Sequence, residues 1–264
     1  MPIPLYLVDA FTDRPFAGNP AAVCLPDADR DAAWMQAVAA EMNQAETAFV
    51  RPRPDGDWGL RWFTTVVEVE LCGHATLASA HALWETGRAP TTRPIRFHTM
   101  SGVLTCTRAG GRIEMDFPAE PAEPIQATAE EAFALGATPV FVGRNRMDML
   151  VVLGTAEEVR SLAPDMSQVA KIKTRGVIVT ARSDRPDADF VSRFFGPQSG
   201  IAEDPVTGSA HCCLGPYWRD RLGKDELIGY QASQRGGYVA VRCVGNRVIL
   251  GGTAVTVVAG ELRA

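Results

Sequence analysis

The chain has 264 residues, of which 46% are hydrophobic and 22% are charged, and its formal net charge is −5. This is the composition of an ordinary globular protein, and it excludes long disordered or coiled-coil segments. The negative balance disfavours a bulk electrostatic attraction to nucleic acid or to an anionic membrane, although a local basic pocket for a small anion stays open. The length predicts one large domain or two of middling size.

Targeting and cofactor signals are absent from the sequence. No apolar run approaches the roughly 18 residues that a membrane-spanning helix needs, and the N-terminal segment meets Asp9 too early for a signal peptide. The protein is therefore expected to be cytoplasmic, and its six cysteines are expected to be free thiols. No CxxC spacing supports structural zinc, and neither GxGxxG nor GxxxxGK[ST] supports a nucleotide cofactor.

Hydrophobic patterning in the first half predicts short strands interrupted by two helices. The apolar runs predict strands at 4–9, 21–25, 45–51, 60–63, 66–71, 95–99, 103–107 and 112–117. Helical spacing predicts helices at 29–42 and 76–85. The paired glycines Gly110 and Gly111 predict a hairpin between the last two of these strands.

A proline-rich stretch at 118–126 predicts a linker and therefore a domain boundary. Beyond it, helices are predicted at 128–135, around 157–162 and at 209–221. Strands are predicted at 149–153, 176–180, 189–194, 227–232, 238–244, 247–250 and 253–258. The segment 196–207, rich in Gly, Pro and acidic residues, predicts a loop that leads into the last helix.

Both halves share a rhythm of strands, then a glycine-containing turn, then a helix that starts with small residues, at Gly73 and at Gly208. The first turn of a helix carries unsatisfied N–H groups and the positive end of the helix dipole, and glycine lets a ligand approach the backbone closely. Two such junctions could hold a small carboxylated molecule. The alternative is that both are ordinary helix starts, with Thr207 or Ser209 as the N-cap.

Two carboxylates are candidates for chemistry. On a strand, Glu46 shares one face with Ala48 and Val50, and a carboxylate on an apolar face must be paired, protonated or functional. Desolvation suits such a group to acid/base work, whereas the alternative is an edge glutamate that reaches solvent. Asp204, stiffened by Pro205, could accept a hydrogen bond from a substrate amine or hydroxyl, or could serve only in loop and cap bonding.

Motifs spread over almost the whole chain resemble the PhzF-like family of phenazine-biosynthesis isomerases. They are VDAFT at 8–12 with GNPA at 18–21, ETAFV at 46–50, RWFT at 61–64 leading to EVELCGHAT at 68–76, RFF at 193–195 with EDPVTGSAH at 203–211, and the run from GG at 251–252 to GEL at 260–262. They occur in family order. The best-understood member isomerises a dihydro-hydroxyanthranilate, and most members have no known substrate.

The resemblance implies an α+β fold of the diaminopimelate-epimerase type. In that fold two similar domains each consist of a curled, mostly antiparallel sheet wrapped around a central helix. The N-terminal domain is expected at 1–118, with the last strand, about 253–264, as a candidate to complete it. The C-terminal domain is expected at 126–252, and the active site in the cleft between the two.

The resemblance also implies cofactor-free and metal-free acid/base chemistry on a small carboxylated metabolite. By position, Glu46 would carry the proton, and His74, Asp204 and Ser209 would position the substrate. Backbone N–H groups of Gly73 and Gly208 would hold its carboxylate. A homodimer is expected by family likeness, without a nucleic-acid or membrane partner.

Two alternatives remain. The racemase and epimerase branch of the same superfamily uses two thiols, and Cys72 occupies the place of the first, but the second junction offers Thr207. A threonine hydroxyl is not an effective base near neutral pH, so two-thiol racemisation is disfavoured. The other alternative is a non-catalytic small-molecule-binding protein with this fold.

Overall fold

A computed structural model of the chain describes residues 2–126 and 135–263, the side chain of Ser199 excepted. The chain divides into two compact units, Met1–Asp116 together with Gly251–Ala264, and Phe117–Leu250. The helix predicted at 128–135 lies, except for its last residue, outside the described part. Within that part, no helix is long and apolar enough to span a membrane.

Short strands dominate the secondary structure. In chain order they are β1 (Ile3–Ala10), β2 (Asn19–Cys24), β3 (Glu46–Pro52), β4 (Trp58–Phe63), β5 (Glu68–Val69), β6 (Ile95–Thr99), β7 (Gly102–Ala109), β8 (Arg112–Pro118), β9 (Glu123–Pro124), β10 (Phe141–Arg144), β11 (Asp148–Val152), β12 (Gly176–Arg182), β13 (Phe190–Gly196), β14 (Ile201–Asp204), β15 (Glu226–Gln231), β16 (Gly237–Val244), β17 (Arg247–Gly252) and β18 (Ala254–Leu262). The α-helices of the described residues are α1 (Ala32–Met42), α2 (Gly73–Glu85), α3 (Ala156–Ser161), α4 (Met166–Val169) and α5 (Gly208–Leu222).

In the first unit, a continuous series of paired strands surrounds α2. The pairing runs β18–β1–β2–β3–β4–β6–β7–β8, with β5 also on β4. The β2–β3 and β4–β6 pairs are parallel and the others antiparallel. Helix α2 packs against β1, β2, β3 and β18, and its residues 74–80 and 82–84 are buried. A helix buried on nearly every side is the centre of a core, and its many alanines let the strands approach it closely.

The second unit has the same plan around α5. Its strands pair in the order β9–β10–β11–β12–β13–β15–β16, with β14 also on β13, and the β11–β12 and β13–β15 pairs are parallel. Helix α5 packs against β15 and β16. Its Gly215 lies so close to the sheet that an added Cβ would be 2.8 Å from Cγ1 of Val241. Glycine is therefore needed for this close packing.

The two units repeat one pattern of pairing, element by element. In the first unit the order is a parallel pair β2–β3, the antiparallel pairs β3–β4 and β4–β5, helix α2, a parallel pair β4–β6 and an antiparallel pair β6–β7. In the second unit the order is a parallel pair β11–β12, the antiparallel pairs β12–β13 and β13–β14, helix α5, a parallel pair β13–β15 and an antiparallel pair β15–β16. Bidentate ion pairs between an arginine and a glutamate recur as well. Arg61 binds Glu68 at 2.6 and 2.7 Å, and Arg193 binds Glu203 at 2.7 and 2.9 Å. The predicted α+β fold of two similar, curled sheets with central helices is confirmed.

Several predicted boundaries are wrong, each for a local reason. The predicted linker 118–126 contains β9, an edge strand of two residues where proline is tolerated. The predicted loop 196–207 contains a 3₁₀ turn and β14, which folds back on β13. The predicted strand 66–71 keeps only β5, because the Thr64 hydroxyl accepts hydrogen bonds from the N–H groups of Val66 and Val67 and forms a turn.

Two helix starts also differ from the prediction. Helix α1 begins at Ala32 rather than near residue 29, because the Asp31 carboxylate accepts a hydrogen bond from the Trp34 N–H and caps the helix there. Helix α2 begins at Gly73, three residues before the predicted Thr76. The glycine of the first junction is therefore itself the first helical residue.

Candidate active site

Glu46 is the first residue of β3, where the strand pairs in parallel with β2. Its side chain is 13% exposed, so the alternative of an edge glutamate reaching freely into solvent does not hold. The next four residues of the strand are buried. The carboxylate therefore stands at the margin of the first unit's core, where its charge is largely removed from water.

His74 connects Glu46 to the start of α2. Its Nε2 lies 3.3 Å from Oε2 of Glu46, and its Nδ1 is hydrogen-bonded at 3.2 Å to Nδ2 of Asn19. Burial lowers the pKa of His74 to about 3, so the ring is neutral near pH 7. Because the Asn19 amide is a donor, Nδ1 accepts and Nε2 carries the proton. The contact with Glu46 is thus between a neutral N–H group and a carboxyl group.

Cys72 is the N-cap residue of α2, and its side chain makes no capping hydrogen bond. Its Sγ instead lies 3.5 Å from Nδ1 of His74. The α1 and α3 helices differ, since Asp31 and Thr155 cap them with side-chain oxygens. The first-turn N–H groups of α2 therefore remain for an acceptor other than the N-cap side chain, as an anion-binding role for Gly73 requires.

The second junction is organised around Thr207, the N-cap residue of α5. Thr207 is thus the N-cap residue that the alternative names, but its side chain makes no capping hydrogen bond. Its hydroxyl donates at 2.5 Å to Oδ2 of the buried Asp204. Gln231, on β15, accepts from the Thr207 N–H at 2.9 Å and donates to the Asp204 carbonyl at 2.8 Å. Asp204 therefore does hold the loop, four residues before Gly208.

Ser209 is the second residue of α5 and is not its N-cap, because Thr207 holds that position. Its Oγ accepts a hydrogen bond of 2.9 Å from Nη2 of Arg175. Arg175 in turn binds both carboxylate oxygens of Asp148, at 2.9 and 2.5 Å, and the Asp148 side chain is fully buried. Sequence reasoning missed Asn19, Gln231, Arg175 and Asp148, since each lies 24 or more residues from its partner in the chain.

The side chains that could hold a metal form two groups in the described residues. Glu46, Cys72 and His74 bring one ligand atom each to within 4.8 Å of one another, and so do the more exposed Asp55, Asp57 and His98. In the first group, both ring nitrogens of His74 already face Asn19 and Glu46. A metal there would have to displace one of these contacts. The six cysteines are buried and free, as predicted.

We expect the buried histidines to make the fold sensitive to acid. Burial lowers the pKa of His74 to about 3 and that of His211 to about 4. The unfolded chain binds protons at both residues below about pH 6.5, whereas the folded chain does not until pH 4 or lower. The free energy of unfolding should therefore fall as the pH drops from about 6.5 to 4, by about 1.4 kcal/mol per pH unit for each histidine.

Urea denaturation of the wild type and of His211→Asn between pH 7 and pH 4.5 checks this. The variant should lose about half of the histidine contribution, that is, about 1.4 kcal/mol per pH unit. An unchanged slope would show that the buried His211 does not bind its proton preferentially in the unfolded state.

Known proteins are similar to this chain over almost its whole length. The family model described as phenazine biosynthesis-like protein (PhzC-PhzF) matches residues 8–260. An uncharacterized isomerase of Halalkalibacterium halodurans is 51% identical over 263 residues, which are 99% of each chain. The crystal structure of a PhzF-family phenazine biosynthesis protein from Enterococcus faecalis is 41% identical, covers 100% of both chains and has a TM-score of 0.95.

A more distant structure shares the fold alone. It is a hydroxyproline epimerase from Agrobacterium vitis, 10% identical, covering 99% of this chain and 92% of its own, with a TM-score of 0.64. Sequence and fold thus point in the same direction: the chain belongs to the PhzF family of phenazine biosynthesis-like proteins, among which are relatives named as isomerases.

Proposed function

We propose that this protein is an isomerase that moves a proton within a small carboxylated metabolite, without a cofactor, and that Glu46 carries the proton. The observation that supports this most is the placement of the Glu46 carboxyl group, nearly buried and 3.3 Å from Nε2 of a neutral His74. An arginine or lysine there would hold the carboxylate in a permanent ion pair. A neutral imidazole orients it and leaves it able to take up and release a proton.

In the proposed reaction, Glu46 removes a proton from a carbon that is acidified by a neighbouring carboxylate or unsaturated system. The C–H electron pair moves into that system, a double bond shifts, and the protonated Glu46 returns the proton to a different carbon. No electron is gained or lost and no group leaves, so the step balances without a redox partner. A positioned acid/base of this kind contributes about 100- to 10,000-fold to a rate.

The substrate carboxylate is assigned to the two helix starts. The first-turn N–H groups at Gly73 and Gly208 lack a side-chain cap from Cys72 and Thr207, and both helix dipoles favour an anion. Ser209 adds a hydroxyl group, and Asp204 an acceptor for a substrate amine or hydroxyl. The family resemblance implies that the residues at both helix starts bind one substrate, and this expectation is part of the proposal.

The repeat favours a single proton carrier over the two-base chemistry of a racemase. By strand register, Glu46 in the first unit corresponds to Gly176 in the second. Glu46 is the first residue of β3 and lies three residues before the strand partner of Arg61. Gly176 is the first residue of β12 and lies three residues before the strand partner of Arg193. A Cβ at Gly176 would come within 2.2 Å of the Phe194 ring, which leaves no room for a side chain. The second unit therefore lacks a carboxylate at the equivalent position.

The proposal is tested with a panel of small carboxylated metabolites incubated with the protein in heavy water and followed by NMR. A proton-transferring enzyme exchanges solvent deuterium into its substrate, and an isomerase also shifts a double bond. A mirror-image or epimeric product would favour the racemase alternative. If no compound in a panel that includes dihydroaromatic amino acids takes up label, the non-catalytic binding protein is favoured instead.

Removal of metals and small molecules is expected to leave the rate unchanged. The proposed step uses only protein side chains and backbone N–H groups, so neither a Lewis acid nor a hydride carrier has a role in it. Protein dialysed against a chelator and passed over a desalting column should retain its full rate of deuterium uptake. Restoration of a lost rate by zinc or by a nicotinamide cofactor would contradict the mechanism.

Cys72→Ser is expected to retain most activity. The thiol lies 3.5 Å from Nδ1 of His74 and stands where the racemase branch keeps a catalytic cysteine. Serine is nearly isosteric but far less acidic, so it separates a neighbour of the helix start from a thiol base. The readout is solvent-deuterium uptake in the same substrate. If Cys72→Ser were as inactive as a variant that lacks Glu46, and if the wild type formed an epimeric product, a one-thiol racemase would be favoured.

The quaternary structure and location belong to the same proposal. By family likeness the protein is a homodimer, without nucleic acid or membrane as a partner, and acts in the cytoplasm. Light scattering after size-exclusion chromatography measures the first point directly.

A further inference from the structure

The second unit holds a charged group next to the position that Glu46 occupies in the first. In both units the second residue of the central helix contacts a side chain at the start of the equivalent strand. His74 of α2 contacts Glu46, the first residue of β3, and Ser209 of α5 contacts Arg175, which directly precedes β12. The contact is thus repeated with the opposite charge.

Arg175 is held in one orientation. Both oxygens of Asp148 accept hydrogen bonds from its guanidinium, and Phe194 lies under it with 5.6 Å from Cζ to the ring centroid. The Asp148 side chain is fully buried, whereas that of Arg175 is 37% exposed. A planar guanidinium clamped on one edge presents its remaining N–H groups in a fixed direction.

The hydrogen bond to Ser209 determines what that hydroxyl can do. Nη2 of Arg175 donates to Oγ at 2.9 Å, so the oxygen is an acceptor on that side. A serine hydroxyl has one proton, and here it is left to point to a different acceptor. The positive guanidinium at this distance also strengthens the hydroxyl as a donor and favours an anion beside the start of α5.

We propose that Arg175, fixed by Asp148, is a positioning residue that orients the Ser209 hydroxyl and makes the start of α5 selective for a substrate carboxylate. This inference rests on the proposed function, because it assumes that Ser209 meets the substrate. It deepens that function by assigning the selectivity for a negative charge to the Arg175–Asp148 ion pair of the second unit, in which only Asp148 is fully buried. Arg175 acts through Ser209.

The experiment compares two ligands of nearly equal shape, 2-aminobenzoate and 2-aminobenzamide, by titration calorimetry. Only the first carries a carboxylate. The wild type should bind 2-aminobenzoate more tightly. Ser209→Ala and Arg175→Met should each weaken its binding about 10- to 100-fold, the range expected for a hydrogen bond to a charged group, with little effect on 2-aminobenzamide. The double variant should be no weaker than Ser209→Ala, because the arginine acts through the serine.

Removing Arg175 alone leaves the Asp148 carboxylate buried without its partner, which destabilises the variant. The paired variant Asp148→Asn with Arg175→Gln avoids this, since both amides keep hydrogen bonds and neither is charged. It should lose carboxylate selectivity while its melting temperature stays close to that of the wild type. Arg160→Met is the matched control, because Arg160 pairs with Asp184 in the same unit without contacting Ser209, and it should bind both ligands as the wild type does.

A wild type that does not distinguish the two ligands, whether it binds both or neither, would overturn the proposal. So would equal loss of both ligands in the variants, which is the result of a merely structural role. Proton transfer does not enter this measurement. Deuterium uptake that depends on Glu46, found together with a failure of carboxylate selectivity, would therefore leave the proposed function standing and remove only the role of Arg175.

Discussion

Glu46→Gln is expected to lower turnover by about 100- to 10,000-fold while the fold and the affinity for ligands stay nearly unchanged. Glutamine has the shape of glutamate and keeps a carbonyl oxygen that can face Nε2 of His74, but it has no proton to give or take. Its contact at Nε2 is with a neutral His74, so removing the charge of Glu46 leaves no unpaired charge on that ring. The loss should therefore appear in kcat rather than in KM.

The measurement is the rate of solvent-deuterium uptake, accompanied by a thermal melt and a ligand titration. Glu41→Gln is the matched control, since Glu41 is an exposed glutamate on α1 of the same unit and the same charge is removed. Activity of Glu46→Gln within a few-fold of the control would exclude Glu46 as the proton carrier. A collapsed melting temperature would instead show that the carboxylate serves the fold.

The parts of this fold that follow from sequence are those that depend on local periodicity. Strand β3 and the buried centre of α5 stand out because apolar residues recur with the spacing of a strand or of a helix. The two glycine junctions are visible for a similar reason, since a glycine followed by small residues marks a helix start that packs closely. Strands β9 and β14 were missed, because two to four residues paired with a distant partner leave no periodic signal.

The same distinction applies to the candidate site. Glu46 is a candidate because its charge interrupts an apolar face, whereas the roles expected of His74 and Ser209 come from the family resemblance. Asn19 and Gln231 carry no such signal. Gln231 lies 24 residues from Thr207 in the chain, and an ordinary polar residue in a strand does not reveal which buried groups it satisfies. Only the folded structure identifies it as the residue that bonds both the backbone N–H and the hydroxyl oxygen of Thr207.

The repeat shows how the starts of the two central helices differ in chemistry. Equivalent ion pairs, Arg61 with Glu68 and Arg193 with Glu203, hold equivalent strands together in both units. The residues around the helix starts differ. The first unit has an acidic residue next to a histidine, and the second has a basic residue next to a serine. Under the proposed function, the first unit supplies the proton carrier and the second unit holds the anion.

Two substitutions at His74 are expected to differ strongly from each other. His74→Asn places an amide oxygen near the position of Nδ1, so it can accept from Asn19 but no longer reaches Glu46. His74→Gln places an amide nitrogen near the position of Nε2, so it retains a donor toward the Glu46 carboxyl group. If orientation of Glu46 is what His74 supplies, turnover should fall about 100-fold in the asparagine variant, since a misplacement of about 1 Å has that cost. The glutamine variant should stay within about tenfold of the wild type.

Both variants remove the same buried imidazole, whose pKa burial lowers to about 3, so both should lose the same acid-dependent part of their stability. Differences in activity between them therefore report on the contact with Glu46 rather than on the fold. Deuterium uptake and urea denaturation are measured side by side, with His98→Asn as the control at a histidine that pairs with Asp57 away from Glu46. Equal activity of the two His74 variants at equal stability would show that the 3.3 Å contact with the Glu46 carboxyl group does not contribute to the proton transfer.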